Sequence, residues 1–478
     1  MKSYQTLDEI QNDIKLGRTS CRALLEGYLS NIRAQSNLNA FIEVYEQEAL
    51  EKADSIDSKI KNNTAGKLAG LIFGIKDLIC FQGHKVSGGS KILQNFESQF
   101  SATAVQKLIG EDAIVIGRQN CDEFGMGSSN ENSYYGPVKN AFDPTKVPGG
   151  SSGGSAVAVQ ANFCHASLGT DTGGSVRQPA AFCGIVGLKP TYSRISRWGL
   201  LAYASSFDSI GIFTKSVEDN ARILEVIAGK DNHDATSSSE TVGSLYPIEL
   251  AEKKYRIAYL PEAMDTEALQ PEIKVAIEGQ LEGLKSQGHT VEAVNFPLLD
   301  YILPTYYILT TAEASSNLSR YDGAHYGHRS DNISSLESLY KNSRTEGFGD
   351  EVRRRIMLGT FVLSADYYDA YFTKAQKARR LIKEATEKIL SEFDFIVIPT
   401  TPTTAFKLGK PSKSPIEKYM ADLYTVQASV TGLPAISIPI GSDRENMPIG
   451  MQIISSAFNE RKLFAFSNLV SSQLKEKV

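Results

Sequence analysis

Cysteine is scarce in this chain, and its spacing matches none of the common metal or redox motifs. The five cysteines are widely separated, and no two of them form a C-x-x-C pair. This pattern argues against a zinc site and for reduced thiols, as in a cytoplasmic protein. The six histidines form no ligand motif either; His325 and His328 lie in a polar, glycine-containing stretch. We therefore expect no metal site in this chain.

The chain also lacks long hydrophobic runs and an excess of basic residues. No apolar stretch approaches the length of a membrane span, and the N-terminus has no signal-peptide pattern. We therefore expect a cytoplasmic protein with no membrane contact. The 50 lysines and arginines are outnumbered by 55 acidic residues, which gives a net charge of −5. Since no basic footprint marks direct nucleic-acid binding, we expect any nucleic acid to be held mainly by a partner.

What the chain does contain is a stretch rich in glycine and serine, residues 139–190, through which apolar segments run. Residues 149–155 read GGSSGGS, and residues 169–177 read GTDTGGSVR. Between them, residues 156–168 are mostly small and apolar. A flexible linker would not contain such a core-forming insert. The pattern predicts two tight turns on a packed scaffold, each presenting a serine.

Three other interpretations of the first turn fit the sequence less well. A phosphate-binding P-loop requires lysine after its second glycine, and here Gly154 is followed by Ser155. Residues 149–153 do match the G-x-S-x-G nucleophile elbow of α/β-hydrolases, but residues 143–148 make a poor preceding strand. The remaining alternative, a loop that only turns the chain, does not account for two such loops around an apolar insert.

A third element lies upstream, where Lys76 interrupts the apolar run of residues 71–79. Lysine is almost never fully buried without a partner. Lys76 could pair with Asp77 or extend to water, and in that case the position would have no chemical role. Alternatively, it is a buried lysine that belongs to a functional site together with the two serine loops.

Taken together, the three motifs resemble the amidase signature family. The motifs are GIKD at Lys76, GGSSGGS at residues 149–155 and DTGGSVRQPA from Asp171, with 75 residues from Lys76 to Ser151 and 24 from Ser151 to Ser175. The resemblance implies a Ser–Ser–Lys triad. Ser175 would be the nucleophile, Ser151 a bridging serine on a cis peptide bond, and Lys76 the terminal base. Ser152 would support them through hydrogen bonds.

The chemistry of such a triad requires these residue types. A serine hydroxyl is a weak nucleophile and needs a neighbouring base. Free lysine has a pKa of about 10.4, so that it is protonated near neutral pH and cannot accept a proton. Burial among apolar residues would lower the pKa of Lys76. Ser151 could then accept a proton from Ser175 while donating its own proton to Lys76.

The second loop is expected to supply an oxyanion hole. Glycine permits unusual backbone angles, so the N–H groups of Thr172, Gly173, Gly174 and Ser175 could point inward at the start of a helix expected from Ser175. Asp171 and Arg177 flank this turn, and we interpret them as hydrogen-bonding supports rather than as catalysts. Further upstream, Asp122 and Glu123 could form an acid–base pair. The interpretation we prefer is that they position their loop and Ser128 near the substrate.

The resemblance becomes more specific in two later stretches, residues 313–323 and 351–360. Both are similar to the glutaminase chains of tRNA-dependent amidotransferases, which use glutamine as the amide donor. In that group an arginine should bind the α-carboxylate of glutamine and a carboxylate its α-ammonium. The resemblance assigns these roles to Arg355 and Asp422, with Tyr306 and Ser128 lining the pocket. Two alternatives stay open: residues 353–355 could be a solvated face, and Asp422 an ordinary helix residue.

Alternation of strands and helices favours an α/β fold. The resemblance adds a mixed central sheet covered by helices on both faces. We expect an N-terminal helical layer over residues 1–61, a catalytic core over 62–217, and the rest of the same domain over 218–478. That last part would hold the glutamine pocket and the partner-facing elements. Within it, strands are expected at 256–260, 290–296, 395–399, 435–440 and 449–454, and helices at 271–287, over most of 352–393 and at 460–475.

The implied function is hydrolysis of glutamine and delivery of ammonia to a partner. That partner, a GatB-like chain, would use ATP and Mg²⁺ to convert Glu-tRNA(Gln) or Asp-tRNA(Asn) to the amidated form. A small GatC-like chain would clasp the other two in a heterotrimer, and the present chain would carry no cofactor. Two rival interpretations are a stand-alone amidase of small amides and a scaffold that has the fold without the chemistry.

Overall fold

One mixed sheet runs through the computed structural model, which describes residues 2–249, 254–410 and 419–475. Its eleven strands are β1 (Phe41–Val44), β2 (Ile72–Lys76), β3 (Ile114–Gln119), β4 (Ala166–Asp171), β5 (Val186–Lys189), β6 (Ser209–Thr214), β7 (Arg256–Tyr259), β8 (Thr290–Ala293), β9 (Phe395–Pro399), β10 (Ala435–Ser442) and β11 (Pro448–Ile454). Across the sheet they lie in the order β1-β3-β2-β4-β6-β5-β10-β11-β9-β7-β8.

Helices connect and flank these strands. The α-helices are α1 (Leu7–Lys15), α2 (Cys21–Ala34), α3 (Glu46–Lys61), α4 (Thr103–Gly110), α5 (Gly153–Gln160), α6 (Arg177–Cys183), α7 (Val217–Ile227), α8 (Pro261–Met264), α9 (Pro271–Ser286), α10 (Leu299–Asn317), α11 (Leu336–Gly347), α12 (Asp350–Val362), α13 (Lys374–Glu392), α14 (Val426–Thr431) and α15 (Glu460–Lys475). In the part of the chain that is described, no helix is both long and apolar enough to cross a bilayer. The predicted α/β class with a mixed sheet is confirmed.

Most elements expected in the C-terminal half are confirmed. Strands β7 and β8 are parallel neighbours joined through α9, as the predicted β-α-β unit requires. The expected helical region of residues 352–393 consists of α12 and α13, separated by a π-helical turn at Tyr368–Thr373. Strand β1 was not predicted in the helical N-terminal region. It has four residues and joins the sheet at its edge through antiparallel pairing with β3.

The sheet brings together the two chain segments that carry Lys76 and the second serine loop. Strand β2 ends at Lys76 and β4 ends at Asp171, and the two are parallel neighbours, with Ile75 opposite Leu168. Their carboxyl ends therefore lie side by side at one edge of the sheet, where open α/β sheets place ligand sites. Helix α5 begins at Gly153, within the first glycine- and serine-rich motif, and α6 begins at Arg177, the last residue of the second.

Candidate active site

Lys76 is fully buried, and hydroxyl groups surround its amine. Nζ lies 2.7 Å from Ser151 Oγ, 2.8 Å from Ser152 Oγ and 2.8 Å from Thr170 Oγ1. Thr170 comes from the neighbouring strand β4, and the two serines come from the turn before α5. Within the described ranges, no carboxylate forms an ion pair with Lys76.

The alternative in which Lys76 pairs with Asp77 is wrong. Asp77 points the other way and pairs with Arg118, whose Nη1 lies 2.6 Å from Asp77 Oδ1. The Asp77 carboxylate also accepts the N–H groups of Ser87 and Gly89 at 2.9 and 2.8 Å. Strand β2 ends at Lys76 and Asp77 begins the turn after it, and the two neighbours in sequence belong to separate hydrogen-bond networks.

Burial lowers the pKa of Lys76 to about 8, although the more distant Asp122, Asp171 and Asp208 favour the charged form. A neutral amine has two hydrogens and one lone pair, so one of its three neighbours must donate to it. Ser152 is not that donor, because its hydroxyl donates to the Thr170 carbonyl at 3.1 Å. Ser151 is free to donate, and this arrangement can carry a proton from a hydroxyl to the amine.

Ser151 follows a cis peptide bond, Gly150–Ser151, as the resemblance implies. The turn is held on both sides: Gly150 N–H donates to Gln178 Oε1 at 2.9 Å, and the Ser151 carbonyl accepts Asp122 N–H at 3.0 Å. A Cβ on residue 150 would lie 2.3 Å from Asp122 Oδ2, so only glycine fits there.

Ser175 lies beside this turn at the end of the second serine loop and is 8% exposed. Its carbonyl accepts the Ser152 N–H at 3.2 Å, which joins the two loops. The hydrogen bond between the Ser151 and Ser175 hydroxyls that a relay requires is not formed in this structure. The relay therefore requires the Ser175 hydroxyl to turn toward Ser151. The helix expected from Ser175 begins two residues later, at Arg177.

The turn of residues 172–175, named here the oxyanion turn, differs from the expectation at one amide. Gly174 N–H donates to Asp171 Oδ1 at 2.8 Å and is therefore occupied. Among the described residues, no acceptor is found for the N–H groups of Gly173 and Ser175. The Thr172 hydroxyl donates to Asp208 Oδ1 at 2.8 Å. Of the four predicted N–H donors, Gly174 is therefore engaged, and those of Thr172, Gly173 and Ser175 have no acceptor among the described residues.

Asp171 and Arg177 form a fully buried pair behind the oxyanion turn. Arg177 Nη2 lies 2.8 Å from Asp171 Oδ1, and Nε lies 3.0 Å from Oδ2. Burial alone would raise the pKa of Asp171, but the guanidinium outweighs it and holds that pKa below its usual value. Arg177 also reaches Gln452 Oε1 and Ser429 Oγ. The pair ties this turn to the C-terminal half of the sheet.

The loop that carries Ser128 is shaped by Asp122. The Asp122 carboxylate accepts the N–H groups of Asn130 and Asn132, each at 2.9 Å. The interpretation in which Asp122 positions this loop, rather than acting as an acid or base, is therefore confirmed. Glu123 accepts the Gly349 N–H at 2.8 Å. The two carboxylates serve separate backbone segments and do not form an acid–base pair.

Ser128 and Asp422 meet directly. The Ser128 hydroxyl donates to Asp422 Oδ1 at 2.9 Å, and the Tyr307 hydroxyl donates to Oδ2 at 2.6 Å. Burial raises the pKa of Asp422 to about 6, while these two hydroxyls act in the opposite direction. Tyr306 lies instead against the oxyanion turn, where a Cβ on residue 173 would be 2.3 Å from its hydroxyl.

Arg355 sits on the inner face of α12 among three tyrosine rings. Its guanidinium lies 5.7, 5.2 and 5.5 Å from the ring centres of Tyr203, Tyr307 and Tyr419. Nε pairs with Glu351 at 2.9 Å, and Nη1 donates to the Tyr203 hydroxyl at 2.9 Å. Arg355 is 3% exposed, so the interpretation of residues 353–355 as a solvated face is wrong for this residue.

A cavity of about 550 Å³ opens beside Arg355, a size typical of small-molecule pockets. Its lining includes Ser128, Glu351, Arg354, Arg355, Tyr419 and Met420. The lining does not include the three triad residues or two of the predicted pocket residues: Lys76, Ser151, Ser175, Tyr306 and Asp422. No group of three potential metal ligands among His, Cys, Asp and Glu occurs in the described residues.

Several residues of this site were missed by the sequence analysis: Thr170, Tyr203, Tyr307, Glu351 and Tyr419. Thr170 could have been found, since it lies inside the second loop motif and β4 runs parallel to β2. Glu351 is four residues before Arg355 on the same helix, a spacing that brings side chains together. The tyrosines come from distant segments, and no local pattern marks them.

Comparison with known proteins places the chain among amidases. The family described as Amidase matches residues 23–464. In Chlorobium phaeobacteroides, the A subunit of glutamyl-tRNA(Gln) amidotransferase is 47% identical over 475 residues, which cover 98% of this chain and 99% of that protein. The crystal structure of the corresponding chain from Thermotoga maritima aligns with a TM-score of 0.79 and 40% identity, covering 95% of this chain and 92% of that one. A peptide amidase bound to chymostatin aligns with a TM-score of 0.82 and 27% identity, covering 99% of this chain and 98% of that one.

The buried Asp171–Arg177 pair predicts a large loss of stability on substitution. Arg177→Met should destabilise the protein by about 3–5 kcal/mol, because it leaves the Asp171 carboxylate buried without its cation. The pKa of Asp171 is lowered in the folded state, so the stability it contributes is present above the unfolded pKa and is lost as pH falls. In Arg177→Met the same carboxyl is buried without its cation, so its pKa should lie above the usual value, and protonation at pH 4 should relieve part of the loss and narrow the gap.

Thermal unfolding of both proteins at pH 7 and pH 4 measures this gap. Arg380→Met is the matched control, because Arg380 and Glu384 form an exposed pair on α13. It should leave the unfolding midpoint nearly unchanged. Equal midpoints for Arg177→Met and wild type at pH 7 would contradict the prediction.

Proposed function

Because the chain belongs to the amidase family, we propose that it is the glutamine-hydrolysing component of a tRNA-dependent amidotransferase. The observation that carries the chemistry is the buried Lys76 amine, which lies 2.7 Å from Ser151 Oγ. The substrate is suggested by the relatives, which match over nearly their full length and are named as A subunits of glutamyl-tRNA(Gln) amidotransferase.

In this proposal the reaction begins when the Ser175 hydroxyl turns toward Ser151. Neutral Lys76 takes the proton of Ser151 as Ser151 takes that of Ser175. Ser175 Oγ then attacks the side-chain amide carbonyl of glutamine. Burial lowers the pKa of Lys76 to about 8, so part of the amine is uncharged near that pH. This supports its role as the base, because general bases work best when their pKa lies near the operating pH.

The attack forms a C–O bond and places negative charge on the carbonyl oxygen. The Gly173 and Ser175 amides are the donors proposed to hold it, since neither has another acceptor in the described structure. The C–N bond then breaks, and the proton returned from Lys76 through Ser151 leaves with ammonia. Water hydrolyses the γ-glutamyl ester on Ser175, which releases glutamate and restores the serine.

The cavity next to Arg355 is the proposed glutamine site. Arg355 keeps N–H groups beyond those used by Glu351 and Tyr203, and they can pair with the α-carboxylate. Asp422 would bind the α-ammonium, with Ser128 and Tyr307 orienting its carboxylate. Tyr306, placed against Gly173, would line the path from this site to Ser175.

The ammonia would pass to a GatB-like partner that binds ATP, Mg²⁺ and the misacylated tRNA, with a GatC-like partner clasping the two chains. The relatives are named as one component of an amidotransferase, which supports a complex of several chains. The complex would work in the cytoplasm. We propose that residues 218–478 carry the partner-facing elements in addition to the glutamine pocket, while residues 62–217 hold the catalytic core behind an N-terminal layer over residues 1–61.

Substitution of the nucleophile should affect amidation from glutamine but not amidation from free ammonia. Ser175→Ala, assembled with candidate GatB-like and GatC-like partners, should lose glutamine-dependent amidation of charged tRNA while ammonia-dependent amidation continues. The reason is that only glutamine hydrolysis uses this serine. Loss of both activities together would argue against delivery of ammonia from this chain. Brisk glutaminase without partners, unaffected by tRNA, would favour a stand-alone amidase.

The pH dependence of glutamine hydrolysis should report Lys76. The turnover number should rise as pH increases through about 8, the value to which burial lowers the pKa of Lys76. The rise is expected because only the neutral amine accepts a proton. Lys76→Met should lower the turnover number by about a hundredfold or more and remove this rise.

Lys189 provides a matched control, because burial also lowers its pKa, to about 7, and among the described residues its amine donates to the Pro190 carbonyl alone, at 2.9 Å. Lys189→Met should keep the rise in activity near pH 8. If the rise were lost in Lys189→Met and kept in Lys76→Met, the assignment of the base would be wrong.

Substitution of Arg355 should act on glutamine binding. Arg355→Ala should raise the KM for glutamine by about ten- to a hundredfold, as expected for loss of a charge-assisted pair of about 1.5–3 kcal/mol. Arg353→Ala is the control, since Arg353 pairs with Asp350 on the exposed side of the same helix. Steady-state kinetics with glutamine gives both values. An unchanged KM in Arg355→Ala would remove this residue from the pocket.

A further inference from the structure

Thr425 lies three residues beyond Asp422 and reaches the oxyanion turn. The side chain is fully buried, and its backbone N–H donates to the Asp422 carbonyl at 3.1 Å. Its hydroxyl lies 2.6 Å from the Gly173 carbonyl and 3.2 Å from the Asp422 carbonyl. One hydroxyl proton serves one strong bond, and the shorter distance assigns it to Gly173.

This bond fixes one end of the peptide group between Gly173 and Gly174. The other end is fixed by Asp171, whose Oδ1 accepts the Gly174 N–H at 2.8 Å. Rotation of the peptide group would break both bonds and leave two buried polar groups without partners. Such groups cost about 1–3 kcal/mol each, so the orientation of this peptide is set.

The two neighbouring N–H groups are directed by the same arrangement. The Gly174 carbonyl accepts the Gln178 N–H at 2.8 Å, which orients the next peptide and its Ser175 N–H. The N–H groups of Gly173 and Ser175, which lack acceptors in the described structure, flank the fixed peptide. A twist of that peptide would therefore redirect the proposed oxyanion donors.

The backbone of Thr425 closes the arrangement into a ring. Its carbonyl accepts Arg177 Nη1 at 2.6 Å, and Arg177 holds Asp171, which holds Gly174. There is no room between Thr425 and the turn: a Cβ on residue 174 would lie 2.2 Å from Thr425 Oγ1. Gly174 also has a φ of +132°, which side chains rarely adopt.

We propose that Thr425 is a positioning residue for the proposed amide hydrolysis. Its hydroxyl fixes the Gly173–Gly174 peptide so that the Gly173 and Ser175 amides face the reacting carbonyl oxygen. Since Thr425 and Asp422 share one turn of backbone, the same segment sets the site for the substrate's α-ammonium and the geometry of the oxyanion donors. The identity of the substrate in this inference rests on the proposed function. The positioning of the peptide rests on the hydrogen bonds alone.

The test compares Thr425→Val with Thr425→Ser. Valine has the shape of threonine and lacks the hydroxyl, so it leaves the Gly173 carbonyl unpaired, whereas serine keeps the bond. In the assembled complex, Thr425→Val should lower the turnover number for glutamine about a hundredfold, the order of loss seen when an oxyanion donor is removed. The KM for glutamine and the pH midpoint should stay close to wild type, because Arg355, Asp422 and Lys76 are untouched. Thr425→Ser should recover most of the activity.

Thr431→Val is the matched control. It removes another buried threonine hydroxyl from the end of α14, and the bonds that this hydroxyl donates to described residues stay within its own helix, the shortest to the Gln427 carbonyl at 2.8 Å. It should leave the turnover number unchanged. If Thr425→Val does not fold, as judged by its unfolding midpoint, Thr425→Ala makes the same comparison.

The rate at which a fluorophosphonate labels Ser175 gives a readout that does not need glutamine, because the phosphonyl oxygen would occupy the same oxyanion site. Slow labelling of Thr425→Val with normal labelling of Thr425→Ser supports the inference, even if the wild-type complex hydrolyses no glutamine and the proposed substrate is wrong. Wild-type labelling in Thr425→Val, equal loss in both variants, or a changed KM at constant turnover would overturn it.

Discussion

The site depends on a lysine amine placed where no carboxylate of the described residues pairs with it. Desolvation of Lys76 disfavours its charged form, and three hydroxyl oxygens at 2.7–2.8 Å supply polar contacts that suit either protonation state. A carboxylate in their place would stabilise the ammonium and remove the base. The neighbouring Asp77 is kept out of this role because it pairs with Arg118.

The remainder of the site is built to hold backbone in place rather than to add reactive groups. Asp122 shapes the loop of Ser128, and Asp171 with Arg177 shapes the turn before α6. The buried Asp122 carboxyl is satisfied by backbone N–H groups, and Asp171 and Arg177 satisfy each other, as buried polar and charged groups must be. These contacts hold the two loops that carry Ser128 and Ser175.

The sequence predicted the parts of this site that local motifs encode, and it missed the parts that tertiary packing brings together. Lys76, Ser151 and Ser152 could be placed because each lies in a distinctive motif, and the cis bond before Ser151 is present. The engagement of Gly174 could not be foreseen, since it depends on how the Asp171 side chain folds back over the turn. Tyr203 and Tyr307 enclose Arg355 from segments about a hundred residues apart in sequence, without a common pattern.

The strands of the fold also differ in how well the sequence predicts them. Strands with strong apolar runs, such as β3 and β9, were predictable from composition, whereas β1 is a four-residue edge strand inside a helical region and gives no alternating pattern. Strand β4 contains Gly169, a residue type that is depleted in strands and weakens the strand signal. A Cβ on residue 169 would lie 2.9 Å from Ser152 Oγ, so glycine there leaves room for the serine that contacts Lys76.

The most direct measurement of the central claim is the protonation state of Lys76 itself. Carbon-13 NMR of protein labelled at the lysine ε-carbon, with the Lys76 signal assigned by its loss in Lys76→Arg, follows that amine as pH is raised. The account predicts a titration midpoint near 8, where burial places the pKa of Lys76. A midpoint at or above about 10.4, the value for lysine in water, would contradict it.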